Sequence, residues 1–67
     1  MNEDILKGKW HELKGDVKIK WGKLTDDDLT VVNGNAEKLV GILQTKYGLS
    51  KDKAQAEYNE FISSRKK

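Results

Sequence analysis

Three consecutive aspartates, Asp26, Asp27 and Asp28, form the densest group of potential metal ligands in the sequence. Calcium loops alternate their ligands with spacer residues and add a bidentate Glu further along the chain. Consecutive side chains on a helix point about 100° apart, so these three carboxylates cannot converge on one ion. Thr25 precedes them, and Thr25-x-x-Asp28 is a variant of the capping box that begins a helix. We therefore predict that the cluster caps a helix and that the chain has no metal site.

The single histidine, His11, lies among lysines at helical spacing. Together Lys7, His11, Lys14 and Lys18 form a basic stripe about 60° wide on the first predicted helix. No second His and no Cys is available to complete a metal site, and no Ser or carboxylate at a telling spacing makes His11 a catalytic base. We interpret the basic stripe as a solvated lysine face. The alternative is a weak surface for nucleic acid or another anion, since lysine contacts to phosphate need no sequence motif.

The sequence contains no motif for cofactor binding or for nucleophilic catalysis. The six glycines are not grouped into a phosphate-binding loop, and none precedes a Lys-Ser or Lys-Thr pair. The absence of Cys also excludes a disulfide framework and a thiolate nucleophile. We therefore predict a protein that is not an enzyme and that has no catalytic residues and no cofactor.

Charge is abundant but balanced along the 67 residues. Charged residues make up 36% of the chain, yet 13 Lys and Arg against 11 Asp and Glu leave a net charge of only +2. No basic block appears, which disfavours nucleic acid as the partner. No apolar run approaches the roughly 20 residues of a membrane span, and the first residues lack the pattern of a signal peptide. These features predict a cytoplasmic protein with no membrane span.

Apolar spacing predicts that the first helix carries an apolar stripe about 80° wide. Its members recur every three or four residues: Leu6, Trp10, Leu13, Val17 and Trp21. We interpret both tryptophans as core residues rather than as a platform for stacking bases. Gly22 follows the stripe, where a helix often ends at a residue that tolerates positive φ.

Three further helices are predicted from capping residues. Thr25 begins a short helix that ends near Asn33, although Val31 to Gly34 could also be read as a strand that enters a hairpin turn. Asn35 begins the third helix, which Gly48 closes just after Tyr47, and Ser50 begins the fourth. We expect residues 63–67 to fray.

Ten residues on these apolar stripes are the predicted core: Leu6, Trp10, Leu13, Val17, Trp21, Leu29, Leu39, Leu43, Tyr58 and Phe61. If Trp10 belongs to this core, its replacement by Ala should cost roughly 3–5 kcal/mol. Connections of two or three residues make neighbouring helices turn back on each other. The sequence therefore predicts a single all-α domain of four helices over residues 1–67.

Two runs of residues form a recognisable pattern. The first runs from Lys7-Gly8-Lys9-Trp10 to Lys14-Gly15-Asp16-Val17-Lys18, and the second is Trp21-Gly22-Lys23-Leu24-Thr25-Asp26-Asp27-Asp28-Leu29. The second half adds Gly34, Leu39, Val40-Gly41, Gln44 and Tyr47-Gly48. This pattern resembles the CsbD-like family of small bacterial general-stress proteins. The resemblance implies two helical hairpins packed crosswise, a cytoplasmic location and induction under stress. It implies no catalytic or ligand-binding residue, so the motif positions are expected to be caps, glycine stops and core.

The balanced charge, the glycine content and the mean hydropathy of −0.80 favour a non-enzymatic stress-response protein that acts as a hydrophilic protectant. The alternative is a small binding module that uses the basic stripe for nucleic acid or an anionic surface. The sequence identifies neither a partner nor an oligomeric state.

The capping interpretation predicts the response of the domain to one substitution and to calcium. Thr25→Ala should lower the free energy of unfolding by about 0.5–2 kcal/mol, because the amides of the first turn lose their acceptor. Millimolar calcium should raise the melting temperature of the parent no more than sodium at equal ionic strength. Thermal unfolding of the parent and of an Asp26→Asn/Asp28→Asn variant tests this expectation. A saturable stabilisation by calcium that the double variant lacks would replace the cap with a metal site.

Overall fold

The computed structural model describes residues 6–65, and all of its regular secondary structure there is helical. Residues 6–8 are helical and are followed by a turn at Lys9. Four helices then follow in order: α1 (Trp10–Lys20), α2 (Asp26–Val32), α3 (Ala36–Tyr47) and α4 (Lys51–Arg65). The fold is therefore all-α, as the sequence predicted.

Side-chain caps begin the last three helices at the predicted residues. Thr25 and Asp28 form a reciprocal capping box: the Asp28 amide donates to Thr25 Oγ1 at 3.1 Å and the Thr25 amide donates to Asp28 Oδ2 at 2.9 Å. The Asn35 side chain accepts from the Lys38 amide, and the Ser50 hydroxyl accepts from the Lys53 amide. Each bond satisfies an amide that has no partner within its helix, which fixes where the helix begins.

Left-handed residues end α2 and α3. Asn33 adopts φ 42° after α2, and Gly34 follows with φ 83°. Gly48 adopts φ 64° after α3. Two consecutive left-handed residues turn the chain back from α2 to α3, so the segment that could have been read as a strand is the end of a helix and a turn.

The end of α1 differs from the prediction. Gly22 does not adopt positive φ, and α1 ends at Lys20, one residue before Trp21. The Trp21 amide donates to the Val17 carbonyl, and the Leu24 amide then donates to the Trp21 carbonyl at 3.0 Å. This turn satisfies the helix end without a left-handed residue, so the role predicted for Gly22 was wrong.

Fifteen buried side chains, all hydrophobic, form one core. They are Leu6, Leu13, Val17, Trp21, Leu24, Leu29, Val32, Ala36, Leu39, Val40, Leu43, Ala54, Tyr58, Phe61 and Ile62. Nine of the ten predicted core residues are among them. Six more side chains are buried, and one of these, Leu24, follows the turn after Trp21. Every apolar stripe contributes side chains to this core, and packing of such a stripe is the usual main source of helix stability in proteins.

The two tryptophans are buried to different extents. Trp21 is only 2% exposed, its ring centroid lies 5.1 Å from that of Phe61, and its Nε1 donates to Glu57 Oε1 at 3.0 Å. Trp10 is half-buried and packs against the edge of the core. Trp10 begins α1, directly after the turn at Lys9, whereas Trp21 reaches across to α4. The prediction that Trp10 is among the most buried side chains was wrong.

Gly34 allows the chain before α1 to cross the α2–α3 turn closely. A Cβ atom at Gly34 would lie 3.1 Å from Lys7 Cα and 3.4 Å from Trp10 Cβ. The first of these distances is to backbone, which cannot move aside as a side-chain tip can. Glycine is therefore required at this position both for its positive φ and for the close approach.

Backbones approach closely between α2 and α3 and between α3 and α4. Helix α1 contributes to the core through Leu13 and Val17, and Trp21 continues that contact beyond its end. The crosswise packing of two helical hairpins stays a prediction.

At the C-terminal end of the described residues, α4 continues through Arg65, so Ser63 and Ser64 are helical where fraying was expected. Residues 66 and 67 of the expected frayed tail lie outside the described residues.

Burial predicts that the two tryptophans differ in energetic importance. Trp21→Ala should lower the free energy of unfolding by about 3–5 kcal/mol, because it leaves a cavity beside Phe61. Trp10→Ala should cost at least about 1 kcal/mol less, since part of its ring is already in water. Urea unfolding followed by circular dichroism measures both variants. Equal losses for the two would show that Trp10 is as important to the core as Trp21.

Candidate functional site

The basic stripe is exposed along its whole length, but its lysines have different neighbours. Lys18 Nζ lies 2.7 Å from Asp26 Oδ1, in an ion pair between α1 and the start of α2. Lys7 lies before the turn at Lys9 and lines a cleft beside the α2–α3 turn. His11 and Lys14 lie on the exposed surface of α1. The turn at Lys9 separates Lys7 from the regular helix that carries the other three residues.

The aspartates of the acidic cluster point to different partners. Asp26 pairs with Lys18 of α1, and Asp28 Oδ2 lies 3.1 Å from Lys46 Nζ of α3 while it also caps α2. Asp27 is exposed at the start of α2. Within residues 6–65 no three His, Cys, Asp or Glu side chains are grouped closely enough to hold a metal ion. The cluster therefore links α2 to the helices on either side of it.

These contacts lower the pKa of two carboxyl groups. The Lys18 ammonium lowers the pKa of Asp26 below its ordinary value of 3.8, first by its hydrogen bond and then by its charge, with a smaller contribution from the charge of Lys14. The Thr25 amide lowers the pKa of Asp28, and the hydrogen bond from Lys46 lowers it further. Asp26 therefore interacts with two lysines of the basic stripe and offsets part of the positive charge of that stripe.

Tyr47 and Lys23 connect the end of α3 to the corner after α1. The Lys23 amide donates to the Tyr47 hydroxyl at 3.2 Å, and Lys23 Nζ lies 5.1 Å from the centroid of the same ring. Lys20 Nζ lies 5.5 Å from the centroid of the Trp21 ring. Cation–π contacts of exposed lysines contribute about 0.5–1 kcal/mol each. Tyr47 therefore holds the corner in place, a contact that its spacing in the sequence did not predict.

Two open depressions of about 370 Å³ each flank Lys38. The first, which we call the polar cleft, is lined by Lys7, Val32, Asn33, Gly34, Asn35, Ala36 and Lys38. The second, which we call the apolar groove, lies between α2 and α3 and is lined by Asp28, Val31, Lys38, Gly41, Ile42, Thr45 and Lys46. In the apolar groove the Thr45 hydroxyl donates to the Gly41 carbonyl, and the Asp28 carboxylate is held by the Thr25 amide and Lys46. Sequence reasoning missed both depressions, because their walls come from two helices and a turn.

The lowered carboxyl pKa values predict how stability depends on pH. Because the folded protein favours the charged forms of Asp26 and Asp28, their contribution to stability is complete above the ordinary pKa of 3.8. It is lost as pH falls through the lower pKa values of the folded state. Asp26→Asn should therefore destabilise the domain at pH 7 and weaken its loss of stability as pH falls from the ordinary pKa of 3.8 through the lowered pKa of the folded state.

Urea unfolding at a series of pH values measures this effect. Asp27→Asn is the matched control, since it removes the same charge from the same helical turn without breaking the pair of Lys18 with Asp26. An identical pH profile for the Asp26→Asn and Asp27→Asn variants would contradict the assignment.

None of the helices within residues 6–65 is both long enough and apolar enough to cross a membrane. No solved structure significantly matches the chain.

Bacterial relatives match it closely over most of its length. The UPF0337 protein XAC4007 of Xanthomonas axonopodis is 55% identical over 64 residues, which cover 96% of this chain and 93% of the relative. The UPF0337 protein PA4738 of Pseudomonas aeruginosa is 54% identical over 61 residues, or 91% of this chain and 94% of the relative.

The UPF0337 protein YjbJ of Escherichia coli K12 is 51% identical over 57 residues, which cover 85% of this chain and 83% of the relative. None of these three names states an activity. The family model described as CsbD-like matches residues 4–56, which include the basic stripe, the capping box and the α2–α3 turn. The chain therefore belongs to the CsbD-like family.

Proposed function

We propose that this protein is a non-enzymatic stress-response protein that acts in the cytoplasm as a hydrophilic protectant. The observation that carries the proposal is the separation of charge from core. Within residues 6–64 no polar or charged side chain is buried, while the fifteen buried side chains are all hydrophobic. Charged side chains make up 36% of the whole chain. A small folded particle of this kind presents a dense shell of charged groups to water.

Charge pairing between helices supports the same function. The ion pairs of Lys18 with Asp26 and of Lys46 with Asp28 place acids beside bases that are distant in the sequence. Surface pairs of this kind add little stability, but they prevent a large field of a single sign. A surface that is charged yet balanced holds water and has little tendency to bind other macromolecules. At high concentration such particles would separate larger proteins from one another when water is scarce.

The CsbD-like family name connects the chain to general stress, which agrees with protection under water loss. It specifies no substrate or partner. Protection is a property of the whole surface, so it requires no catalytic constellation.

Desiccation or freezing of a reporter enzyme tests protection directly. The parent should preserve more activity than an equal mass of an unrelated small protein, because its charged shell retains water around the reporter. A matched variant removes two positive and two negative charges on exposed positions of α4: Lys51→Gln, Asp52→Asn, Lys53→Gln and Glu60→Gln. It keeps the net charge of +2 and should protect less. Equal protection by the unrelated protein, or by the variant once its folding is verified, would contradict the proposal.

The rival function is binding of nucleic acid by the basic stripe. Its strongest support is that Lys7, His11, Lys14 and Lys18 are all exposed, and the pairing of Lys18 with Asp26 counts against it. Retention on DNA that falls steeply with salt would favour this rival. In that case Asp26→Asn should strengthen retention, because it removes the acid that offsets the stripe. We expect no salt-sensitive retention of the parent and no gain in the variant.

A further inference from the structure

The turn between α2 and α3 contains the only Asn-Gly pair of the sequence, Asn33-Gly34. An asparagine loses its side-chain amide most readily when glycine follows it. The reason is steric, because glycine has no Cβ to hinder its own nitrogen from reaching the side-chain carbonyl of the preceding residue. The pair is therefore a candidate site of a covalent change that needs no enzyme.

Deamidation of such a pair is an internal cyclisation. The Gly34 nitrogen gives its proton to water and bonds to Asn33 Cγ, the bond from Cγ to the side-chain nitrogen breaks, and that nitrogen takes a proton from water and leaves as ammonia. A second water molecule then opens the five-membered succinimide ring. Opening at Cγ gives aspartate at position 33, whereas opening at the backbone carbonyl gives isoaspartate, whose main chain runs through Cγ. Overall, one water is consumed and one ammonia is released.

Both reacting groups lack hydrogen bonds within the described residues. The Asn33 side chain is exposed, lines the polar cleft and has no hydrogen-bond partner there. By contrast, the Asn35 side chain accepts from the Lys38 amide. The Gly34 amide donates to no carbonyl within residues 6–65, although the amides on either side of it both do. Neither reacting group must give up a hydrogen bond before the ring can form.

The backbone conformation of the folded turn nevertheless prevents the reaction. Asn33 has φ 42° and ψ 44°. The substituents of an L-residue Cα are spaced about 120° apart around the Cα–C bond, so this ψ places the Gly34 nitrogen almost opposite Cβ. Ring closure requires that nitrogen on the same side as Cβ. The bond would have to rotate by nearly half a turn before the nitrogen could reach Cγ.

Packing around the turn opposes that rotation. Gly34 is buried, and a Cβ atom placed on it would lie only 3.1 Å from Lys7 Cα, so the chain before α1 lies directly against the turn. The Asn35 amide also donates to the Val32 carbonyl at 2.7 Å and closes the turn. Rotation at Asn33 would move the Gly34 peptide against the first contact and break the second. Cyclisation therefore requires the turn to open.

We infer that Asn33 is a deamidation site that the folded turn protects, so that a chain is modified when its α2–α3 turn opens. The product differs from the parent in charge, because the new carboxylate lowers the net charge of +2 by one and lies in the cleft lined by Lys7 and Lys38. Isoaspartate also adds a main-chain atom to a turn that is too tight for a Cβ at Gly34. The modification thus permanently marks chains that have opened.

Peptide mass spectrometry of the full-length chain tests this inference. The parent is incubated in mildly alkaline buffer with and without enough urea to unfold it, and is then cut after Lys23 and Lys38. The peptide between these cuts contains Asn33. Its conversion to the acid should be at least about tenfold slower in the folded chain, which corresponds to an opening free energy of about 1.4 kcal/mol. Chromatography should separate an isoaspartyl form of the same peptide.

Asn35 is an internal control in the same peptide, since Ala36 follows it and carries a Cβ. In urea Asn35 should react more slowly than Asn33. Trp10→Ala tests the role of packing, because the Trp10 side chain lies against Gly34. It should raise the rate at Asn33 at least about threefold in buffer and leave the rate in urea unchanged, since the reacting pair is the same.

Three results would overturn the inference. Equal rates for the folded and the unfolded parent would show that the turn gives no protection. A rate at Asn33 in urea no greater than that at Asn35 would show that the pair is not a reactive site. An unchanged rate in buffer for a Trp10→Ala variant that urea unfolding shows to be less stable would separate the reaction from opening. No reporter enzyme is involved, so these outcomes are independent of the proposed protectant function.

Discussion

The burial of Trp21 against α4 is the contact on which the rest of the arrangement depends. Its ring packs on Phe61, and its indole N–H donates to Glu57, 36 residues further along the chain. An indole N–H needs a partner when its ring is buried, so this bond fixes how the ring enters the core. The turn that follows brings Leu24 into the core and leaves Thr25 positioned to begin α2. Trp21 therefore connects the corner between α1 and α2 to α4.

Once α2 is placed, the electrostatics of the surface follow from its first turn. The acids at the start of a helix stabilise it through the helix dipole, and here Asp26 and Asp28 also reach lysines of the two neighbouring helices. The basic stripe is thereby offset by an acid from a different helix. Every buried side chain in the described range is hydrophobic, so the charged side chains described there are all at least partly exposed. A function that belongs to the surface as a whole agrees with this distribution better than one that belongs to a single site.

Local signals predicted most of the fold. A capping residue needs only the amides two or three positions ahead of it, so Thr25, Asn35 and Ser50 could be assigned from the sequence. The left-handed Gly48 is likewise a local requirement of the helix that it ends. Apolar spacing identified nine of the fifteen buried side chains, because helical periodicity determines which residues share a face. The same periodicity placed the basic stripe on one helix. This holds for His11, Lys14 and Lys18, whereas Lys7 lies before the turn at Lys9.

The sequence by itself therefore determined the presence of the four helices, the caps that begin the last three, the all-α class and the family, since each depends on short-range spacing or on an ordered series of motifs. It did not determine how α1 ends or how far α4 extends. The tertiary structure alone decided that Trp10 lies at the edge of the core, that Lys18 meets Asp26, and that a groove opens beside Val31. These features depend on the angle and distance between helices. Apolar periodicity predicts which face of a helix is buried. It does not predict which helix packs against that face or how much of the face the contact buries.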